Sequence, residues 1–213
     1  MSDQHALAGA ADGPYFFLSY ARTPRSGPFD DVDPNRWVTK LFSDICADII
    51  QLSPMSGRPG FMDLQLRTGE PWPEVGTALA TCRVFVPLYS PRYFHNPVCG
   101  KEWATFFQRD SPGSQLTQAI VPALWVPIAS GELPPSASQV GLPDAKLGVH
   151  YREHGFYGLM KLSRFRDHYR RAVFGLAQTI LEAGTRNMVR AGKPSDYLSA
   201  GNAFDRLDGP RMI

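Results

Sequence analysis

Short apolar runs that alternate with helical repeats constrain this chain more than any other feature. Tyr15–Tyr20 and Arg83–Tyr89 are continuous runs of mostly apolar and aromatic residues, which is typical of strands buried on both faces of a parallel sheet. Between them, apolar residues from Trp37 to Leu52 recur every three or four positions, as on one face of a helix. Strands that alternate with helices form βαβ units. The sequence therefore predicts an α/β fold with a mostly parallel sheet.

Five strands and four helices are predicted along one folded domain. The strands are Tyr15–Tyr20, Phe61–Leu66, Arg83–Tyr89, Ala119–Val126 and a short run at Val149–Arg152. The helices cover Trp37–Leu52, the residues from Val75 to Cys82, the residues around Cys99 to Phe107, and about 158–182, where Gly184 would end the last one. Residues 1–13 are predicted to be a flexible N-terminal tail, residues 14–184 the domain, and residues 185–213 a C-terminal tail.

The composition excludes several classes of protein. The net charge of +2 argues against a nucleic-acid binder, which needs clustered positive charge. No apolar run approaches the roughly 20 residues that span a bilayer, and the first residues lack a secretory signal pattern. Cys46, Cys82 and Cys99 are widely spaced and odd in number, so they predict neither a disulfide framework nor a zinc site. We expect a cytoplasmic protein without a bound metal.

The stretch from Tyr89 to Phe107 carries one acidic residue among aromatics. At about 100° per residue, Cys99, Trp103, Phe106 and Phe107 share one arc of a helix, and Glu102 lies at the edge of that arc. A carboxyl in that position is partly desolvated, which raises its pKa, a common property of functional acids. It is equally an ordinary boundary residue of an amphipathic helix, and the spacing alone leaves both interpretations open.

Three loops are predicted to meet on one side of the sheet. Ligands of open parallel sheets bind at the carboxyl ends of the strands. The loops after Tyr20, Leu66 and Tyr89 all leave such ends. Arg22, the Thr68-Gly69 turn and Glu102 are therefore expected to lie near one another.

Four motifs in this order resemble those of Toll/interleukin-receptor (TIR) domains. They are Phe17-Leu-Ser-Tyr20 in the first strand, Phe61-Met-Asp63 followed by Gly69, Val84-Phe-Val-Pro-Leu-Tyr-Ser90 in the third strand, and Cys99-Gly-Lys-Glu102 in a helix. The resemblance covers roughly residues 14–183. When the first motif is extended through Ala21 to Arg22 and the last motif to Trp103, the sequence is most similar to the bacterial TIR-like group called FxsC. The resemblance implies a flavodoxin-like fold in three layers, with a central, mostly parallel, five-stranded sheet.

The resemblance also implies an activity, because some TIR domains cleave NAD⁺ at the nicotinamide–ribose bond in defence or signalling. Their essential glutamate corresponds to Glu102, which would stabilise an oxocarbenium-like transition state. NAD⁺ is then the substrate, and no other cofactor is expected. Many such enzymes carry an aromatic residue four positions earlier, where this chain has Val98, so a cyclic product is in doubt. The implied substrate contacts come from Tyr20, Arg22, Thr68, Gly69, Trp72 and Ser90.

A non-enzymatic role is the main alternative. TIR domains associate with one another, and the Gly69-Glu-Pro-Trp72 loop would then be a contact element with Trp72 as an anchor. The FxsC group is associated with peptide-modification gene clusters, which also suits an adaptor. A domain that senses nucleotides without cleaving them is a third possibility. Homotypic association is expected under the enzymatic interpretation as well.

Overall fold

Four parallel strands form the centre of the protein. The computed structural model describes residues 13–25, 27, 32–55, 57–63, 72–109, 116–140, 147–187 and 189–205. The strands are β1 (Phe16–Ser19), β2 (Gly60–Met62), β3 (Val84–Tyr89) and β4 (Ala123–Leu124), and they lie in the order β2-β1-β3-β4. Every strand residue is buried, which explains why these segments read as continuous apolar runs.

Helices flank the sheet and complete an α/β, flavodoxin-like fold, as predicted. In chain order the helices are α1 (Arg36–Leu52), α2 (Trp72–Thr81), α3 (Pro91–Phe94), α4 (Pro97–Phe107), α5 (Pro135–Ser138), α6 (Val149–Lys161), α7 (Arg166–Arg186) and α8 (Asp196–Ser199). The helices α1 and α7 contact each other, and α7 also packs on β3. Short 3₁₀ helices cover Leu116–Ala119, Ser130–Glu132 and Ser163–Phe165.

The prediction of a fifth strand at Val149–Arg152 is wrong, since these residues begin helix α6. The free edge of β4 is occupied by this helix. The Leu124 amide donates a hydrogen bond to the Tyr151 hydroxyl at 2.6 Å, and the Tyr157 amide donates to the Trp125 carbonyl at 2.9 Å. Backbone groups that a fifth strand would have paired are satisfied by the helix instead.

Three other predicted elements have different bounds in the structure. The fourth strand keeps only two of the eight predicted residues. Ala119 ends the 3₁₀ helix Leu116–Ala119, Ile120 forms an isolated bridge with Phe85, and Pro122, which has no amide hydrogen, interrupts the pairing before Ala123. The last long helix begins at Arg166 rather than near residue 158, and it continues through Gly184 to Arg186. The second strand ends at Met62, and the remainder of its predicted range beyond residue 63 lies outside the described residues.

Residues 189–205 are folded against the domain, which corrects the prediction of a C-terminal tail for this part. Helix α8 packs on α2 and α4, and Tyr197 and Phe204 are buried. The Gly192 amide donates to the Ala80 carbonyl, and the Ala203 amide donates to the Gly100 carbonyl. The segment therefore packs over α2 and α4, with its closest approach to α4 around Gly100.

Candidate active site

A cleft of about 250 Å³ lies at the carboxyl ends of β1 and β2, beside the first turns of α4. The strand order changes direction between β1 and β3, and open α/β sheets bind ligands at such a switch point. Tyr20 and Arg22 follow β1, Asp63 follows β2, and Glu102 comes from α4. The lining residues are Leu18, Tyr20, Arg22, Asp63, Asn96, Val98 and Glu102. The structure thus brings Arg22 and Glu102 together, as predicted from the strand ends.

Glu102 is buried, with only 5% of its surface exposed, so the expectation of a half-solvated boundary position is wrong. Its helix starts where the Asn96 side chain accepts a hydrogen bond from the Val98 amide, with Pro97 in the first turn. Cys99, Trp103 and Phe106 face the core, as the spacing predicted, whereas Phe107 is 45% exposed. From its position on this helix, the Glu102 side chain reaches the end of β1, where it contacts Ser19.

Two hydroxyl groups, from Ser19 in β1 and Tyr93 in α3, form a hydrogen-bonded chain that ends at the Glu102 carboxyl. The Ser19 hydroxyl donates to Glu102 Oε2 at 2.5 Å, and the Tyr93 hydroxyl lies 2.9 Å from the same Ser19 oxygen. Burial raises the pKa of Tyr93 well above its usual 10.0, so its hydroxyl keeps a proton to donate to Ser19. Within the described part of the chain, Ser19 is the one residue that hydrogen-bonds this carboxyl.

Ser19 and Tyr93 were missed by the sequence analysis. A serine inside an otherwise apolar, fully buried strand is a signal that could have identified Ser19, because a buried hydroxyl needs a partner. Tyr93 gave no such signal, since its hydroxyl finds Ser19 only through the tertiary fold.

Burial raises the pKa of the Glu102 carboxyl from its ordinary 4.5 to about 8. The hydrogen bond from Ser19 acts in the opposite direction and lowers the pKa, while the negative charge of Asp63 raises it and the positive charge of Arg22 lowers it. The carboxyl is consequently protonated in most molecules at neutral pH. A group that loses its proton near the working pH is suited to functional chemistry.

Arg22 and Tyr20 are held at the rim of the cleft by Asp63. The Arg22 guanidinium donates to the Asp63 carbonyl at 2.9 Å and lies 3.4 Å from its carboxylate, while the Tyr20 hydroxyl donates to the same carbonyl at 3.3 Å. Burial raises the pKa of Tyr20 to about 12, so this hydroxyl stays neutral. The Arg22 side chain remains 31% exposed and can meet a ligand.

The other predicted contact residues are not part of this cleft as described. The Ser90 hydroxyl accepts a hydrogen bond from the Tyr93 amide at 3.1 Å and caps helix α3. Thr68 and Gly69 lie outside the described residues. Trp72 is the first residue of α2, and the placement of its side chain is outside the described part as well.

The cleft combines the buried Glu102 carboxyl with the partly exposed Arg22 guanidinium at its rim. Once ionised, the Glu102 carboxylate can accept hydrogen bonds from hydroxyl groups and stabilise a developing positive charge.

Comparison of the chain with models of protein families and with curated proteins returns no match. Among the described helices, none is long and apolar enough to cross a membrane.

Proposed function

We propose that this protein is an NAD⁺ glycohydrolase that cleaves the bond between nicotinamide and ribose. The observation that carries the proposal is the Glu102 carboxyl, which is buried at the inner wall of a cleft at the switch point of a flavodoxin-like sheet. The similarity of the Cys99-Gly-Lys-Glu102 motif to TIR enzymes supports the same assignment. The cellular setting, defence or signalling, rests on that resemblance alone.

The charge of the substrate explains how a carboxyl with a raised pKa becomes active. The nicotinamide ring of NAD⁺ is a cation, and an opposite charge nearby favours the ionised form of a carboxyl. NAD⁺ in the cleft therefore lowers the pKa of Glu102, and the proton leaves to solvent. The carboxylate then accepts hydrogen bonds from ribose hydroxyl groups while Ser19 holds Oε2 in position.

Bond cleavage in this site needs no general acid. The electron pair of the breaking bond returns to the ring nitrogen, so nicotinamide leaves as a neutral molecule. The ribose carbon becomes oxocarbenium-like, and the Glu102 carboxylate stabilises its positive charge. Attack by water gives ADP-ribose, with release of one proton. Val98 lines the cleft with an aliphatic side chain and offers no surface on which the adenine ring could stack, so we expect the linear product.

The size of the cleft suits one end of the substrate. Pockets for whole drug-sized ligands measure roughly 300–1,000 Å³, and this cleft measures about 250 Å³. Nicotinamide and its ribose fit this enclosed part, and the pyrophosphate then reaches the rim. Arg22 at the rim supplies a guanidinium for the phosphate oxygens, a pairing that is commonly bidentate.

Release of nicotinamide from NAD⁺ tests the proposal. The wild-type protein is compared with Glu102→Gln, which keeps the shape of the side chain but cannot carry a charge. We expect the variant to lose at least about a hundredfold in rate. The matched control is Glu74→Gln, the same change at an exposed position in the first turn of α2, which should keep wild-type activity. Equal activity of wild type and Glu102→Gln would eliminate the role of Glu102.

The protein concentration separates the enzymatic proposal from the adaptor alternative. The assay is repeated at increasing concentration, because a site completed by a neighbouring copy would be inactive when dilute. Absence of nicotinamide release at every concentration would contradict the enzyme and favour a module that acts by association. The Gly69–Trp72 loop, on which that alternative depends, lies largely outside the described residues.

A further inference from the structure

The first turn of α6 carries a cluster of metal-ligand side chains on the far edge of the sheet, beyond β4. His150, Glu153 and His154 each offer one ligand atom, and these atoms all lie within 4.8 Å of one another. The Nδ1 atom of His150 is 3.4 Å from Glu153 Oε2, and the Nε2 atom of His154 is 3.8 Å from the same oxygen. None of the three residues lines the cleft that contains Glu102.

Two of these separations are close to the edges of a tetrahedral metal site, and the third pair of ligand atoms lies within 4.8 Å. Ligand atoms that bind zinc at roughly 2.0–2.2 Å in a tetrahedron lie roughly 3.3–3.6 Å from one another. The measured 3.4 Å and 3.8 Å are within a few tenths of an ångström of that spacing. Histidines four residues apart on a helix are a common way to present two imidazoles to one zinc ion.

The two imidazoles are held by neighbouring aromatic rings. Phe165, which is 7% exposed, packs against both rings with centroid distances of 5.1 Å to His150 and 4.6 Å to His154. The His168 ring lies edge-on to His150 at 4.2 Å. The two imidazoles are therefore already oriented by packing, which lowers the cost of ordering them around an ion.

One further feature favours a ligand at this position, and a second fixes where the cluster lies. The Nδ1 atom of His150 is buried and has no hydrogen-bond partner among the described residues, although buried polar atoms are normally satisfied. Directly after His154, the helix kinks at Gly155. Gly155 has φ of +61°, and a Cβ there would meet the Trp125 carbonyl oxygen at 2.5 Å. The kink fixes the turn that carries the cluster against the end of β4.

We propose that His150, Glu153 and His154 form a binding site for a divalent transition-metal ion of the zinc type. Two imidazoles and one carboxylate are the ligand set of open zinc sites, in which a fourth position is left for water or another donor. Hard cations such as Mg²⁺ and Ca²⁺ prefer oxygen ligands and are not suited to this pair of histidines. The Glu153 side chain is 54% exposed, so the fourth position faces solvent.

The sequence analysis predicted no metal because it considered cysteine spacing only. The histidines are visible as His150-x-x-Glu153-His154, but the predicted strand Val149–Arg152 contained only the first of these residues. If that strand continued to Glu153, His150 and Glu153 would point to opposite faces and could not bind one ion. The helix of the actual fold brings all three residues to one side.

Metal titration of the intact chain, prepared without a histidine tag and treated with a chelator, tests the proposal. Zn²⁺ binding is measured by calorimetry, and Co²⁺ is used in parallel because its visible absorption reports four-coordinate geometry. We expect one ion per chain. His154→Ala and Glu153→Gln should each weaken binding by at least about tenfold. Far-UV circular dichroism and urea unfolding check that the variants keep the fold.

The control is His95→Ala, which removes an exposed histidine on the cleft side of the protein, where its Nδ1 lies 2.7 Å from the Pro91 carbonyl oxygen. This variant should bind Zn²⁺ as the wild type does. Two results would overturn the proposal. One is the absence of one-to-one binding in the wild type. The other is equal binding by wild type, His154→Ala and Glu153→Gln, which would indicate adventitious ions on surface groups only.

Discussion

Glu102 depends on Ser19 for the ionised state that the proposed chemistry requires. Burial favours the protonated acid and raises the pKa of Glu102. The hydrogen bond from the Ser19 hydroxyl is the largest of the effects that lower this pKa. Tyr93 holds the Ser19 hydroxyl in place from the other side.

The sequence predicted that Glu102 and Arg22 lie near each other, because both come from segments that follow the carboxyl ends of strands. The degree of burial was not predictable, because it comes from residues distant in the chain.

Replacement of Ser19 by alanine should shift the pH dependence of nicotinamide release. Loss of the hydrogen bond raises the pKa of Glu102 further, so the acid limb of the profile moves to higher pH. A hydrogen bond to a charged group is worth about 1.5–3 kcal/mol, which predicts a decrease of roughly ten- to a hundredfold at neutral pH. The control is Ser138→Ala, which removes an exposed hydroxyl of α5 that donates to the Pro134 carbonyl and lies outside the cleft. An unchanged acid limb in Ser19→Ala would contradict this role.

At the scale of elements, helix α4 is covered on two sides. Phe85 of β3 packs on the Trp103 ring, whereas residues 189–205 contact α4 at Gly100 and Lys101, where the Ala203 amide donates to the Gly100 carbonyl. Phe204 also reaches the Trp103 ring, at 5.8 Å from centroid to centroid. Helical periodicity identified the first face but not the second. A polar segment without a repeat gives no periodic signal, and only the fold supplies the surface against which it packs.

Arg109 should prove essential for attaching this segment. It is 7% exposed and donates to the Leu79, Cys82 and Arg190 carbonyls at 2.9, 2.6 and 3.0 Å. Arg109→Ala leaves these carbonyls without the guanidinium, and we expect a loss of about 3 kcal/mol in the free energy of unfolding, measured with urea. Arg92→Ala, at an exposed position of α3, should change stability by less than about 0.5 kcal/mol. Similar stabilities for the two variants would count against the attachment.

Gly100 allows the same segment to approach α4. A Cβ at this position would overlap the Asn202 side chain, which also holds Asp205 and the Phe204 amide. Gly100→Ala should therefore loosen the segment at a cost of about 1–3 kcal/mol, seen as faster limited proteolysis between α7 and α8. Gly201→Ala is the matched control, because a Cβ there meets no atom within 4 Å. Equal cleavage rates would show that the contact is unimportant.

For the whole molecule, the buried carboxyl makes stability depend on pH. The unfolded chain releases the Glu102 proton near pH 4.5, whereas the folded chain keeps it to about pH 8. Between these values the folded state binds more protons, so its stability falls as the pH rises. Burial of the neutral acid is thus favourable at low pH, and that contribution is lost as the pH rises through about 8.

Glu102→Gln should remove this dependence. Relative to the wild type, the free energy of unfolding of the variant should increase by about 1.4 kcal/mol for each pH unit within that interval, measured by urea unfolding at several pH values. The other titrating groups are common to both proteins and cancel in the difference. A difference that stays constant from about pH 5 to about pH 8 would indicate an ordinary carboxyl pKa.

The central strands could be predicted from the sequence, whereas the edge of the sheet beyond β4 could not. Phe16–Leu18 and Val84–Tyr89 are buried on both faces, so their composition alone identifies central parallel strands. The edge beyond β4 was mispredicted because four residues such as Val149–Arg152 do not distinguish a period of two from one of 3.6. At this edge the Tyr151 hydroxyl accepts a hydrogen bond from the Leu124 amide. The two residues are distant in the sequence, so no local pattern predicts this contact.

The pH dependence of nicotinamide release tests the central claim most directly. The claim is that the Glu102 carboxyl must lose its proton for the protein to cleave NAD⁺. We predict that kcat/KM for NAD⁺, measured from about pH 6 to about pH 10, rises along a single acid limb with a midpoint near the Glu102 pKa of about 8. Glu102→Gln should be inactive throughout. A rate that is independent of pH across this interval, or an active Glu102→Gln protein, would contradict the account.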